Sequence, residues 1–262
     1  MILKPSWPQE IIPKNIQAAY TTRQGGVSEG PYTSFNLGTH VGDDPQKVAA
    51  NRLALTQDLG LKTAPVWLNQ VHGNDILNLD NYNPDNYNPD TNLSYDASFT
   101  TQPNKVCVVM SADCLPVLLC DLQGHAVAAL HCGWRSIAAG LIEKAIELFT
   151  SNNIAPENII AWLGPAIGPS AFQVDNSMRS QFTASNAFIP LSNESNKSSE
   201  SSLSNYYLAN IQGLASERLL KKGVLAHHIY ANAACTYNQS RDFYSYRRDK
   251  ITGRMATLIW KI

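Results

Sequence analysis

The stretch SADCLPVLLCDLQGHAVAALHCGWR, residues 111–135, constrains the fold more than any other part of the chain. LPVLLCD and HAVAALH are short apolar runs, and LQG between them carries the turn signal of a hairpin. The same stretch holds three cysteines and two histidines. Such residues serve as core filler, as metal ligands, or as a nucleophile with its base. A hairpin centred on Leu122–Gln123 sets Cys114 opposite His131 and Cys120 opposite His125. Directly opposed residues share a sheet face with Cα atoms about 4.5–5.5 Å apart. A zinc ion, taking sulfur at about 2.3 Å and nitrogen at about 2.0 Å, can bridge such a pair.

Context separates the two pairs. Cys120 and His125 flank the turn of a plain hydrophobic hairpin and read as a packed thiol and a surface imidazole. Cys114 and His131 lie at the open ends of the strands, with Asp113 before one and GWR after the other. Gly133 permits close backbone approach, and a helix starting there favours anions at its N-terminus. Cys132 points to the opposite face by strand alternation and reads as core. A slip of one residue destroys this pairing, so the stretch alone leaves core, metal site and nucleophile open.

The remainder of the chain narrows the class. Its 262 residues suit one large domain or two small ones, with enough chain for a sizeable core. Hydrophobic residues make up 44% and charged residues 16%, with a net charge of -1. There is no basic excess to suggest nucleic acid. The first residues, MILKPSWPQEIIPKN, have no apolar h-region, and no run of about 18 apolar residues suggests a membrane span. Five cysteines, in a chain too large to need staples, predict a reduced cytoplasmic protein.

Along the chain, IQAAYTT (16–22) predicts a strand leading into the glycine- and turn-rich RQGGVSEGPYTSFNLG (23–38). Loops of that length in compact domains often carry function. DDPQKVAANRLALTQDLG (43–60) predicts a helix, with Asp43 or Asp44 as N-cap and Gly60 at its end. PVWLNQVHG (65–73), DASFT, KVCVVMSAD, NIIAWLG, HHIYAN and RMATLIWKI predict strands. SIAAGLIEKAIELFT (136–150) and ANIQGLASERLLKKG (209–223) predict helices. NYNPD, occurring twice in residues 80–90, predicts a surface loop, and SNESNKSSESSLSN (192–205) a mobile one. The expectation is a single α+β domain over residues 1–262, with mixed or antiparallel sheet layers packed by helices.

His72 of NQVHG, at a predicted strand end, stands alone in that reading. Its partners appear when the motifs are taken in order. TTRQGGVSEGPYTSFNLG, HVGDDP with a following NR, NQVHG, ADCLPV, HCGWR, GPAIGP and YSYRRD with TGRMA together resemble the YfiH/laccase-domain family of purine nucleoside phosphorylases. The resemblance spans residues about 20 to 260. It implies a YfiH-like α+β fold and a zinc site formed by His72, Cys114 and His131. The sequence departs from the family pattern at HCGWRS, where HAGWRG is usual. It departs again at Ser170, where a cysteine often follows GPAIGP, and at CTYNQS, which lacks a second cysteine. None of these removes a proposed ligand.

A two-histidine, one-cysteine zinc site leaves a position open, as catalytic rather than structural zinc does. Such sites activate water, which suits deamination of adenosine at C6. The resemblance also implies phosphorolysis of adenosine, inosine and methylthioadenosine. Phosphate then needs cationic donors, for which Arg23, Arg135, Arg247, Arg248 and the Gly25–Gly26 backbone are candidates. Asn36 and His40 are candidate nucleoside contacts, and Asp113 a candidate carboxylate to orient a histidine. Two rival enzyme classes remain. Cys114 and His131 suit a Cys–His hydrolase without metal, in keeping with a family relative linked to peptidoglycan editing. A copper-dependent polyphenol oxidase needs many histidines. This chain has six, with no His-x-His pair, although copper also suits two histidines and a cysteine. No obligate protein partner is expected.

Overall fold

The computed structural model describes residues 1–83, 94–182, 184–191 and 205–262. Most of the NYNPD repeat and nearly all of the serine-rich 192–205 stretch lie outside the described residues. The strands are β1 (Ile2–Leu3), β2 (Ile16–Thr21), β3 (Ile76–Asn78), β4 (Ala97–Thr100), β5 (Val106–Ser111), β6 (Leu115–Asp121), β7 (Val127–Cys132), β8 (Ile159–Leu163), β9 (Gln173–Asp175), β10 (Phe188–Pro190), β11 (Tyr206–Ala209), β12 (Ile229–Ala231) and β13 (Met255–Lys261). The helices are α1 (Pro45–Asp58), α2 (Trp134–Ala138), α3 (Leu141–Ser151), α4 (Asn176–Arg179), α5 (Ile211–Lys221) and α6 (Tyr246–Asp249). No helix among the described residues is long and apolar enough to cross a membrane.

Local chemistry sets the helix ends. The Asp44 side chain accepts from the Gln46 N–H at 2.8 Å and Pro45 follows, so α1 starts there. The helix expected over 136–150 is two helices. Gly140 sits at φ +87 between them and breaks the i to i−4 ladder.

The strands form a six-stranded sheet in the order β12-β8-β6-β7-β4-β3, a four-stranded sheet β1-β2-β13-β5, and a three-stranded sheet β10-β11-β9. The first is mixed, with parallel pairs at each edge, and the other two are antiparallel. Every residue of β6 and β7 is buried, because both faces of their sheet are covered. One face carries Leu118, Cys120, Val127, Ala129 and Trp162 against Cys107, Val109 and Ile259 of the four-stranded sheet. The opposite face carries Val117, Leu119, Ala128 and Leu130 against α2, α3 and α5. Helix α1 covers the outer face of the four-stranded sheet through Leu55. The layers are thus helix, sheet, sheet, helices, which agrees with the expected α+β class.

Two further expectations are corrected. Cys120 pairs with Val127 and His131 with Pro116, so the hairpin does not set Cys114 opposite His131 or Cys120 opposite His125. The turn is wider than a two-residue loop. The Asp121 carboxylate accepts from the backbone N–H of Gln123 at 3.1 Å and of Ala126 at 2.8 Å, holding four residues in an Asp-centred turn. His125 lies in that turn, 3.3 Å from Asp121. The register is displaced by two residues, and a displacement of two keeps each side chain on its expected face. Cys114 therefore still approaches His131, just beyond the ladder. The second correction is at 65–73, which joins no sheet. The Gln70 side chain takes the place of a strand there: its amide donates to Met110 O at 2.8 Å and accepts from Met110 N at 2.7 Å. Met110 lies on β5, an edge of its sheet, so this side chain satisfies edge groups that a neighbouring strand would otherwise bond.

Candidate metal centre

Asp96 organises the site. It is fully buried, immediately before β4. Its carboxylate accepts from the backbone N–H of Val71 at 3.2 Å, His72 at 2.9 Å and Gly73 at 2.6 Å. It also lies 2.8 Å from His131 Nδ1. One carboxylate thus fixes a loop histidine through its backbone and a strand histidine through its ring. His72 has φ +61, a left-handed conformation uncommon outside glycine. The three N–H contacts to Asp96 hold it there. The remaining ring nitrogen of His131 is thereby directed into the site, the orientation a carboxylate gives to metal-binding histidines.

Cys114 arrives from a second sharp turn. Asp113 has φ +93, and its carboxylate accepts from Thr236 Oγ1 at 2.7 Å, Ser245 Oγ at 3.0 Å and Arg247 N at 2.6 Å. The expected role of Asp113 in orienting a histidine is therefore corrected. It anchors the 236–247 segment, and Asp96 takes the histidines. Cys114 Sγ lies 3.6 Å from His72 Nε2. One ligand atom each from His72, Cys114 and His131 all fall within 4.8 Å of one another. Tetrahedral zinc bonds to nitrogen and sulfur place those atoms about 3.5 Å apart, so this donor set fits zinc. Glycine is required at 133: a Cβ there would lie 2.7 Å from His72 Cδ2 and 3.3 Å from Cys114 Sγ.

The electrostatics set Cys114 apart from the buried thiols of Cys107, Cys120 and Cys132. Burial pushes Cys107 up to about 12 and raises Cys120 and Cys132 further. Burial acts in the same sense on Cys114, but the facing His131 and His72 outweigh it and bring its thiol down to about 6. His131 is pushed up to about 9, with burial opposed by the Cys114 sulfur and by Asp96. Burial would also raise Asp96, yet its bond to His131 and the N–H donors lower it. Without metal, these shifts favour a thiolate, an imidazolium and a carboxylate in a row between about pH 6 and pH 9.

The cluster lies at the wall of a cavity of about 510 Å³. His40, Arg135, Arg247, Arg254, Trp134, Phe172 and Tyr246 also line it. Burial lowers the His40 pKa first, and Arg254, Arg52 and His131 lower it further, so its imidazole is neutral near pH 7.

Not every predicted residue reaches the cavity. Arg23 donates to Thr33 O and Ser240 O and stacks on Tyr244. The N–H groups of Gly25 and Gly26 point to Ser34 Oγ, at 3.0 and 3.2 Å. Asn36 is fully buried, bonded to Gly38, Asp43 and Arg254 N. Arg248 donates to Thr236 O, Tyr237 O and Phe243 O and pairs with Asp249. These groups brace the loops around the cavity and do not line it. His40, Arg135 and Arg247 do. Asp96 and Arg254 were not singled out from sequence. The available signal for Asp96 was a carboxylate heading an apolar strand, and for Arg254 its place in TGRMA.

A family described as multi-copper polyphenol oxidoreductase laccase matches residues 17–262. An Escherichia coli protein named purine nucleoside phosphorylase YfiH is 46% identical over 266 residues, covering 100% of this chain and 99% of that one. A Pseudomonas aeruginosa protein named purine nucleoside phosphorylase is 41% identical, covering 98% and 97%. The crystal structure of a Neisseria meningitidis protein superposes with a TM-score of 0.85 at 38% identity, over 99% of this chain and 98% of the other.

Proposed function

The chain belongs to the multi-copper polyphenol oxidoreductase laccase family, which includes the YfiH proteins, and from that premise we propose that it is a zinc-dependent purine nucleoside phosphorylase. The substrates in this reading are adenosine, inosine or methylthioadenosine together with phosphate, and the products are the free base and the sugar 1-phosphate. The observation that carries the reading is one cavity lined by both the His72–Cys114–His131 cluster and three arginines. His72, Cys114 and His131 would hold the metal, and a bound zinc supplies Lewis acidity at that wall. Copper also suits the donor set.

The chain's own residues divide the work. Among the described residues, none of Arg135, Arg247 and Arg254 pairs with a carboxylate through its side chain. Arg247 bonds one carbonyl, of Gln173, and Arg254 bonds those of Thr252 and Gly253 through Nη1 alone, so donors are left for an anion. Trp134, Phe172 and Tyr246 offer aromatic surface to a purine. Neutral His40 can accept a proton or a hydrogen bond from the nucleoside. The reaction forms a bond from a phosphate oxygen to C1′ and breaks C1′–N9. The bond pair leaves with the purine, and the proton of hydrogen phosphate ends on a purine nitrogen. The same cavity suits deamination of adenosine, in which water adds at C6 and the 6-amino group leaves as ammonia. Inosine with phosphate should yield hypoxanthine and ribose 1-phosphate, and neither without phosphate. Free ribose in place of the phosphate ester would sink the proposal.

One observation favours a second reading. Cys114, His131 and Asp96 also have the order of a nucleophile, its base and an orienting carboxylate. Against it, a second imidazole, from His72, lies 3.6 Å from the same sulfur. Resistance of Cys114 to alkylation until a chelator is added separates a ligand from a nucleophile. The oxidase chemistry of the family description finds less support. His125 sits in a hairpin turn and His227 and His228 in a separate pair, so among the described residues one cluster of three donors is assembled.

A further inference from the structure

A second chamber of about 450 Å³ adjoins the first and shares Trp134, Arg135, Phe172 and Arg247 with it. Gln173, Asp175, Ser177 and Met178 form other parts of its wall. His72, Cys114 and His131 line the first chamber and not the second, as do His40 and Arg254. Arg135 and Arg247 therefore stand at the boundary.

Both boundary guanidiniums have donors to spare. Arg135 is exposed and stacks on Trp134, 4.3 Å from its ring centroid. Among the described residues its side chain has no ion pair or hydrogen bond. Arg247 donates once, to Gln173 O at 2.9 Å, out of five N–H groups. One oxygen of the carboxylate in the second chamber is already committed. Asp175 Oδ1 accepts from Ser177 N at 3.0 Å, Ser177 Oγ at 2.5 Å and Met178 N at 3.2 Å. Among the described residues, neither boundary guanidinium pairs with a carboxylate.

Two substrates meeting at one carbon need two approaches. An attacking oxygen and a departing base lie on opposite sides of C1′, and their alignment contributes much of the rate. We propose that Arg135 and Arg247 form the inorganic phosphate site, that phosphate arrives through the second chamber, and that the nucleoside occupies the first. This rests on the phosphorylase reading and refines it. A phosphate ester carried by the substrate would satisfy the same guanidiniums, so the source must be separated by experiment.

The test uses metal-loaded protein, with phosphate binding followed by calorimetry and KM measured for phosphate and inosine. Arg135→Ala, Arg247→Ala and Ser177→Trp, which fills the second chamber, should each raise the phosphate Kd and KM at least about tenfold. The inosine KM should stay within about twofold. Ser177→Phe serves if the tryptophan variant fails to melt cooperatively. Cys114→Ser should lose metal and keep phosphate binding. Unchanged phosphate affinity in the filled chamber overturns the proposal. So does phosphate binding lost in Cys114→Ser and kept in Arg135→Ala, which would place the anion on the cluster. So does inosine 5′-monophosphate binding more tightly than inosine and displacing phosphate, because the ester would then own the site. Phosphate bound as described, with no ribose 1-phosphate formed, would support the anion site and remove the phosphorylase reading.

Discussion

Asp96→Asn isolates the carboxylate that organises the centre. The residue is fully buried and meets three backbone N–H groups and one imidazole nitrogen. Asparagine keeps the shape but loses the charge, and it presents an NH2 where the carboxylate offered a second acceptor. At least one of the four donors then faces another donor. A buried donor left unsatisfied costs about 1–3 kcal/mol, which should appear as a lower melting temperature. The second effect falls on the metal. Loss of a carboxylate behind a ligating histidine costs roughly 10–100-fold in affinity, or about 1.4–2.8 kcal/mol. Zinc competition against a chromophoric chelator reads this directly, and circular dichroism checks the fold. A folded variant with zinc affinity within about twofold of the parent would refute the reasoning, since Asp96 would then be only a loop clasp.

Three further outcomes are expected. After chelation, alkylation of Cys114 should have its midpoint near pH 6. The thiolate predominates above that pH and the unreactive thiol below it, and a mass-spectrometric pH profile with a midpoint near about 8.5 would contradict the thiolate–imidazolium pair. Gly133→Ala should displace His72, whose ring carbon would lie 2.7 Å from the new Cβ. Metal content should fall in a protein that still folds, and full occupancy by elemental analysis would show that the loop yields without consequence. Arg248→Ala removes donors to three backbone carbonyls and should cost about 1–3 kcal/mol in urea unfolding. Its phosphate KM should not move, and a large rise would return Arg248 to the site.

Most local structure was legible in the sequence, although the strand expected at 65–73 is absent and the helix expected over 136–150 is divided. The apolar runs of the hairpin, the DDP start of α1 and the glycine at 223 gave strands and helices where the structure has them, because each signal acts within a few residues. The ordered motifs also marked out His72, Cys114 and His131, which the fold brings together. Tertiary structure decided what depended on distant partners. The hairpin register followed from Asp121 bonding two backbone amides, which shifted the pairing by two while leaving the faces unchanged. The arginines divided by what lies opposite them. Arg23 and Arg248 are consumed by carbonyls of neighbouring loops, whereas Arg135, Arg247 and Arg254 line the cavity. Asp96 reaches across 35 positions to His131 and 24 to His72. No periodicity or spacing records such a bond, since a buried carboxylate takes its role from the donors that the folded chain brings to it.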